Sequence, residues 1–288
     1  MDEAFRVFPY SRFHRFIDLA ADRFEVLMEV LEEASVPCRV AAMAGRRHVV
    51  VDCRGATRTI LTAHYDRTPG SPGANDNGAA VFMLVEAARA VIKQGETGAT
   101  FIFTDKEELS AGEEITDQGS YSLALGLREL GLEAARVFTF DACGAGDTLI
   151  ISTAAEKLIG ENGDSRAAAM LARIHQLRDL ALRAARQAHM EQALLLPTPF
   201  SDDAGFLRAG IAAQTITVLP RAEAAAFSSL SRTKDEMAAA ILTGFPESDR
   251  QRIPETWRSL NGTGDSPLRL TPAYWKKVVG FMRAVCEV

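Results

Sequence analysis

Five short apolar runs limit what this chain can fold into: Val49 to Val51, Ile60 to Ala63, Phe101 to Thr104, Val137 to Phe140 and Thr215 to Leu219. Each is rich in β-branched or aromatic residues and bounded by turn residues, the pattern of buried strands. Between them lie stretches with helical spacing, Ala79 to Ile92 and Tyr121 to Leu130. Strands alternating with helices predict an α/β fold with a mixed, mostly parallel central sheet and helices on both faces. Ser11 to Ala34 repeats apolar residues as one amphipathic helix would. A long Ala/Leu/Arg-rich helix is expected from Ser165, its N-cap, to about Met190, and a last one over Pro272 to Val285.

A chain of 288 residues, 47% hydrophobic, can bury a full core, and its length fits one domain over 1–288. The segment 221–255 reads as a lid or a packed excursion. A formal net charge of -6 without a Lys/Arg run argues against a nucleic-acid partner. No stretch reads as a bilayer span, and the N-terminal residues lack the basic-then-apolar order of a secretory signal. Cys38, Cys53, Cys143 and Cys286 are scattered without a C-x-x-C spacing, as reduced thiols are, so a cytoplasmic setting is expected.

Parallel sheets place their sites at the strand ends. Here those ends carry charge: Leu61-Thr-Ala-His64-Tyr-Asp66, Phe103-Thr-Asp-Lys-Glu107-Glu108, Phe140-Asp141 and, after a loop, Asn75-Asp76-Asn77-Gly78. Carboxylates converging on one sheet edge need a cation. His64, Asp76, Glu108 and Asp141 can supply ligands, which leaves Glu107 free to take a proton from water. Weaker signals read blandly. Cys143 lacks an evident base, Gly144-Ala-Gly146 is a turn, and His175 and His189 lie too far apart along their helix for one metal.

The run from His64-Tyr-Asp66 to Gly73-Ala-Asn-Asp76-Asn-Gly-Ala-Ala-Val81, then Phe-Thr-Asp-Lys-Glu107-Glu108 and Phe-Asp141-Ala-Cys-Gly144, resembles the zinc exopeptidase family that holds bacterial leucyl aminopeptidase and animal glutaminyl cyclase. The resemblance covers roughly Val49 to Val218 and Pro254 to the C-terminus. It implies a three-layer sandwich fold and a hydrolase with two metal sites. His64 and Asp141 would hold one ion, Glu108 and a C-terminal residue the other, and Asp76 would bridge them through a loop with a cis Asp76-Asn77 bond. Glu107 would be the general base, and Asp66 would orient the ring of His64.

The departures fall on the second site. Where the family has histidine near the C-terminus this chain has Asn261, and the family's Ser-Asp-His reads Ser201-Asp202-Asp203. Asn261-Gly262 reads equally as an ordinary turn, and Ser201-Asp202-Asp203 as a helix cap. Asn261 and Asp203 are therefore weak candidate ligands, and one or two divalent ions are expected: zinc first, with manganese, iron(II) or magnesium favoured by an oxygen-rich second site. The expected activity is metal-dependent hydrolysis of the amide bond in a peptide or small amino-acid conjugate. The alternatives are a degenerate member that binds a ligand or partner without turnover, and a glutaminyl cyclase-like acyltransferase.

Overall fold

The computed structural model of the protein describes residues 12–53, 56, 58–95, 98–159, 164–190, 192–230, 236, 247–249 and 251–287. Eight strands form one sheet: β1 (Arg39–Met43), β2 (Arg46–Asp52), β3 (Thr59–His64), β4 (Ala99–Thr104), β5 (Arg136–Phe140), β6 (Thr148–Ser152), β7 (Ala193–Leu196) and β8 (Ala213–Leu219). Their spatial order is β1-β2-β4-β3-β5-β8-β6-β7. The β4-β3, β3-β5, β5-β8 and β6-β7 pairs are parallel, whereas β1-β2, β2-β4 and β8-β6 are antiparallel. The sheet is mixed and mostly parallel, as its alternating pattern predicts. Because β3, β4 and β5 run in one direction, His64, Glu107 and Asp141 emerge at the same sheet edge.

Every residue of β3 and β4 is buried, which continuous apolar strands achieve only between two layers of helices. Alternation assigns the faces. Val49, Val51, Leu61, Phe101 and Phe138 pack against α2 (Arg23–Glu33), α3 (Ala80–Gln94), α6 (Ser165–Gln187) and the C-terminal α10 (Pro272–Glu287). Val50, Ile60, Ile102 and Val137 pack the other way, against α4 (Gly119–Glu129) and Phe206 of α7 (Asp203–Arg208). Phe82 of α3 meets Phe13 and Phe16 edge-on, with ring centroids 5.2 and 5.5 Å away. Burial of one such ring contributes about 1.5–3 kcal/mol.

Two expectations change. The N-terminal helix is broken into α1 (Phe13–Phe16) and α2, and Ser11 lies outside the described residues. Asp18 and Asp22 cause the break by turning their carboxylates onto nearby backbone N–H groups: Asp18 accepts from Ala20, and Asp22 caps α2 by accepting from Phe24 and Glu25. The long helix is capped by Asp164, which accepts from the Ala167 N–H, rather than by Ser165. Between them α5 (Ala154–Ile159) follows β6.

Much of the 221–255 segment lies outside the described residues. Its first part, α8 (Arg221–Ser228), is packed through Ala224 and Phe227, and Phe227 meets Trp257 of α9 (Glu255–Arg258) edge-on at 5.1 Å. Among the described residues no helix is long and apolar enough to cross a membrane.

Candidate metal centre

The site is assembled from three strand ends and one loop, each fixed by backbone hydrogen bonds. After β3 the chain runs from His64 to Gly73, held by Arg23. That side chain is 5% exposed, and it donates to the carbonyls of Phe16, Tyr65, Asp66, Pro72 and Gly73. Burial first, and then Arg67, lower the Arg23 pKa to about 9. Gly73 has φ 57°, and a Cβ there would collide with the Asp76 carbonyl and the Arg23 guanidinium, so glycine is required. The turn Ala74–Ala79 follows, wholly buried, with the Asp76-Asn77 bond cis as the resemblance implies. Asp265 accepts from the N–H groups of Asn75 (2.8 Å) and Asp76 (2.9 Å). Asn75 Oδ1 accepts from the Gly144 N–H and Asn77 Nδ2 donates to the Phe140 carbonyl, joining this turn to the end of β5, where Asp141 stands.

After β4, Lys106 takes φ 61° and the next two N–H groups point at one carboxylate. Asp66 Oδ1 accepts from Glu107 and Asp66 Oδ2 from Glu108, both at 3.0 Å. Asp66 therefore fixes the Glu107-Glu108 pair. Its Oδ1 lies 3.4 Å from His64 Nδ1, an ion-pair distance that does not form a hydrogen bond. Gln118 Nε2 is 3.2 Å from both the carbonyl and Oε1 of Glu107.

His64, Asp76 and Asp141 each offer a ligand atom, and these atoms lie within 4.8 Å of one another. His64 Nε2 is 3.1 Å from Asp76 Oδ1, 3.6 Å from Asp141 Oδ1 and 4.0 Å from Glu107 Oε2. His64 is fully buried, yet both ring nitrogens, Asp76 Oδ1 and Asp141 Oδ1 have no hydrogen-bond partner. Orphaned buried polar atoms of this kind cost about 1–3 kcal/mol each, more when charged. One imidazole nitrogen and two carboxylate oxygens fit a divalent ion, whose charge removes that cost.

Without a cation the acids repel their own charge. Burial first, then Asp141, raises the Asp76 pKa to about 6, and burial with Asp76 raises Glu108 to about 7. Glu107 is also pushed well up, chiefly by burial. Burial opposes a charged His64, but Asp141, Asp66, Asp76 and Glu107 outweigh it and raise its basicity.

These residues open into a cleft of about 400 Å³. Its polar lining is Asp76, Glu107, Glu108, Asp141, Gln118 and Asn261, and its apolar lining includes Leu109, Ile115, Pro199, Phe200, Trp257 and Leu260.

Glu108 and Asn261 line this cleft but do not join the close trio. Thr68 Oγ1 lies between them, 2.7 Å from Glu108 Oε2 and 2.9 Å from the Asn261 side-chain amide. Asp203 is turned elsewhere: its carboxylate accepts from the Ser201 N–H, closing its own turn, and it does not line the cleft. At that second position Asp76 and Glu108 are the carboxylates that remain, short of the three protein ligands that catalytic sites use. The neighbouring Asp202 makes no capping bond. It is buried, accepts from Thr104 Oγ1, and has its Oδ1 unpartnered.

Thr68, Gln118 and Arg23 escape a reading of the sequence. Thr68 and Asn261 are 193 positions apart, and no local pattern marks a contact at that distance. Asp265 carries a signal in its place four residues after Asn261 in the C-terminal segment.

No curated protein matches this chain. Among solved structures, the zinc aminopeptidase BSAP from Bacillus subtilis is similar at 20% identity and TM-score 0.54, covering 83% of this chain and 48% of BSAP, so the chain spans about half of that relative's length. Porphyromonas gingivalis glutaminyl cyclase matches over 96% of this chain and 95% of its own, at 16% identity and TM-score 0.64. A Zn-dependent exopeptidase from Parabacteroides distasonis does so over 96% of each chain, also at 16% and 0.64. At these identities the likeness is one of fold. A family model matches directly, over residues 48–242: this chain belongs to peptidase family M28.

Proposed function

We propose that the protein hydrolyses the amide bond of a peptide or small aminoacyl conjugate, with one divalent ion, zinc, held by His64, Asp76 and Asp141. The observation that carries this reading is the buried trio of unpartnered ligand atoms beside Glu107, at a cleft lined by both acidic and apolar residues. When bound, the ion supplies Lewis-acid polarisation of the scissile carbonyl and lowers the pKa of water. Glu107 accepts the proton of the attacking water on a side-chain oxygen and returns it to the departing amine nitrogen, so one water is consumed and an acid and an amine are released. Asp66 holds Glu107 in place through its backbone N–H, and Gln118 steadies its carboxylate. Leu109, Ile115, Phe200 and Trp257 offer an apolar wall to the substrate's side chain and exclude water from it.

The four free cysteines support a cytoplasmic setting. The cyclase alternative is supported by full-length likeness to the Porphyromonas gingivalis enzyme. A panel of aminoacyl amides and glutaminyl peptides, assayed with zinc, separates the three readings. Hydrolysis yields a free amino acid, cyclisation of a glutaminyl N-terminus yields a lactam and ammonia, and a degenerate member yields neither. Hydrolysis abolished by Glu107→Gln at unchanged metal content is the expected result. A metal-loaded wild type inert on the whole panel defeats the enzyme reading.

A further inference from the structure

Resting on the hydrolase reading above, we propose that the protein selects substrates whose acyl-side residue carries a small side chain, a methyl or hydroxymethyl group, and that a recess beside Asp141 makes the selection. This recess, of about 30 Å³, adjoins the large cleft: Asp141, Pro199, Trp257 and Leu260 line both. Ala142, Thr198, Thr215 and Thr217 line the recess and not the cleft. An apolar cavity that admits benzene measures about 150 Å³, and a single water needs about 10–15 Å³. The recess therefore has room for a group the size of a methyl or hydroxymethyl and none for a leucine or phenylalanine side chain.

The bonding of the scissile carbonyl assigns the recess to the acyl side. Its carbon carries an oxygen, a nitrogen and a Cα. The oxygen belongs at the ion site of His64, Asp76 and Asp141, and the nitrogen must lie within reach of Glu107, which returns the proton. Gln118, 3.2 Å from Glu107, lines the cleft with Leu109 and Ile115, and none of the four borders the recess. With the nitrogen turned to Glu107, the Cα is left on the Asp141 side, where the recess opens. The departing residue then meets Leu109 and Ile115 in the larger space, where its size matters less. The recess walls are braced against widening. Thr217 Oγ1 donates to the Ala142 carbonyl at 3.0 Å, Thr215 Oγ1 lies 2.7 Å from Thr139 Oγ1, and Thr198 Oγ1 lies 2.8 Å from Ser152 Oγ. The Trp257 ring is backed edge-on by Phe227. Extra methylenes pressed against such walls force side chains off their rotamers or shift the backbone. A hydroxyl keeps lone pairs when it donates, so this lining suits a hydroxymethyl group as well as a methyl.

The test varies one side of the amide at a time in the zinc-loaded protein. Alanine, serine, leucine and phenylalanine are each placed before alanine amide in a dipeptide amide, and kcat/KM is measured. Alanine and serine are expected to exceed leucine and phenylalanine about tenfold or more, the scale on which pockets discriminate by methylenes. With alanine fixed on the acyl side, exchanging the departing alanine amide for leucine amide should change kcat/KM by less than that. Trp257→Ala and Leu260→Ala each remove a wall and should raise leucine relative to alanine on the acyl side; the second serves if the first fails to fold. Leucine or phenylalanine handled as well as alanine by the wild type overturns the proposal, as does an unchanged leucine-to-alanine ratio in both variants, or a departing residue discriminated as strongly as the acyl one. A wild type inert on every dipeptide amide defeats the hydrolase reading instead. Calorimetric binding to zinc-loaded Glu107→Gln still decides the recess in that event: tighter binding of alanyl-alanine amide than of leucyl-alanine amide upholds it, and equal or reversed binding overturns it.

Discussion

The two sides of one cleft differ in how their polar atoms are satisfied. On the His64 side, a buried imidazole and two carboxylates present ligand atoms with no hydrogen-bond partner. On the Asn261 side, an exposed amide, a hydroxyl and a carboxylate are bonded to one another. Unsatisfied buried polar atoms call for something else to complete them, so the His64 side is the one we propose to hold the ion. In an acid-rich cleft the bonding of each acid is therefore the feature that separates candidate ligand from scaffold.

The largest expected effect sharpens the first side. Glu107→Gln keeps the shape and loses the basic oxygen, so the rate of amide hydrolysis should fall about 10²- to 10⁴-fold. Metal content by elemental analysis should be unchanged, and loss of the ion in this variant would make Glu107 a ligand. Asp141→Asn alters one of the three proposed ligands, and zinc affinity measured by competition with a chelator should fall by more than the roughly 10- to 100-fold that outer partners contribute. Unchanged affinity would break the comparison.

Acidity gives an intermediate test. In the metal-free protein, burial raises the pKa of Asp76 to about 6 and of Glu108 to about 7, so these acids ionise more readily unfolded than folded. Their effect is to remove stability as pH rises from about 4 to 7. His64, with raised basicity, contributes stability below its unfolded pKa that is lost as pH rises through its folded one. Zinc binds the deprotonated groups and should reverse the trend. The shift in melting temperature on adding zinc should be larger at pH 7.5 than at pH 5, approaching about 2.7 kcal/mol of stabilisation at one hundred times Kd. An equal shift at both values would place the ion elsewhere. The smallest effect is expected on the second side, where Asn261→Ala should change stability in urea by no more than about 0.5 kcal/mol, because the residue is exposed.

The sheet centre was legible because β3, β4, β5 and β8 are continuous apolar runs that a buried position demands. The edges were not. β1 reads Arg-Val-Ala-Ala-Met with no residue fully buried, so its strand state comes from pairing with β2 and not from its own preference. β7 reads Ala-Leu-Leu-Leu, which suits a helix equally, and becomes a strand by lying parallel to β6. In the site, the charged residues at the strand ends stood out because burying charge needs a reason. The bonds that fix them did not, since Thr68, Gln118 and Ser71 are ordinary loop residues whose partners are set by the fold.

The bond from Asp265 to the Asp76 turn spans 189 residues of chain. A chain growing from its N-terminus therefore makes His64, Asp76, Glu107 and Asp141 long before it makes the carboxylate that fixes the turn between them. Contacts this distant in sequence form late, after the intervening sheet has closed. The candidate metal centre is consequently completed only once the segment carrying Asp265 is made, and a chain stopped before Asp265 carries the candidate ligands without the bond that fixes their turn.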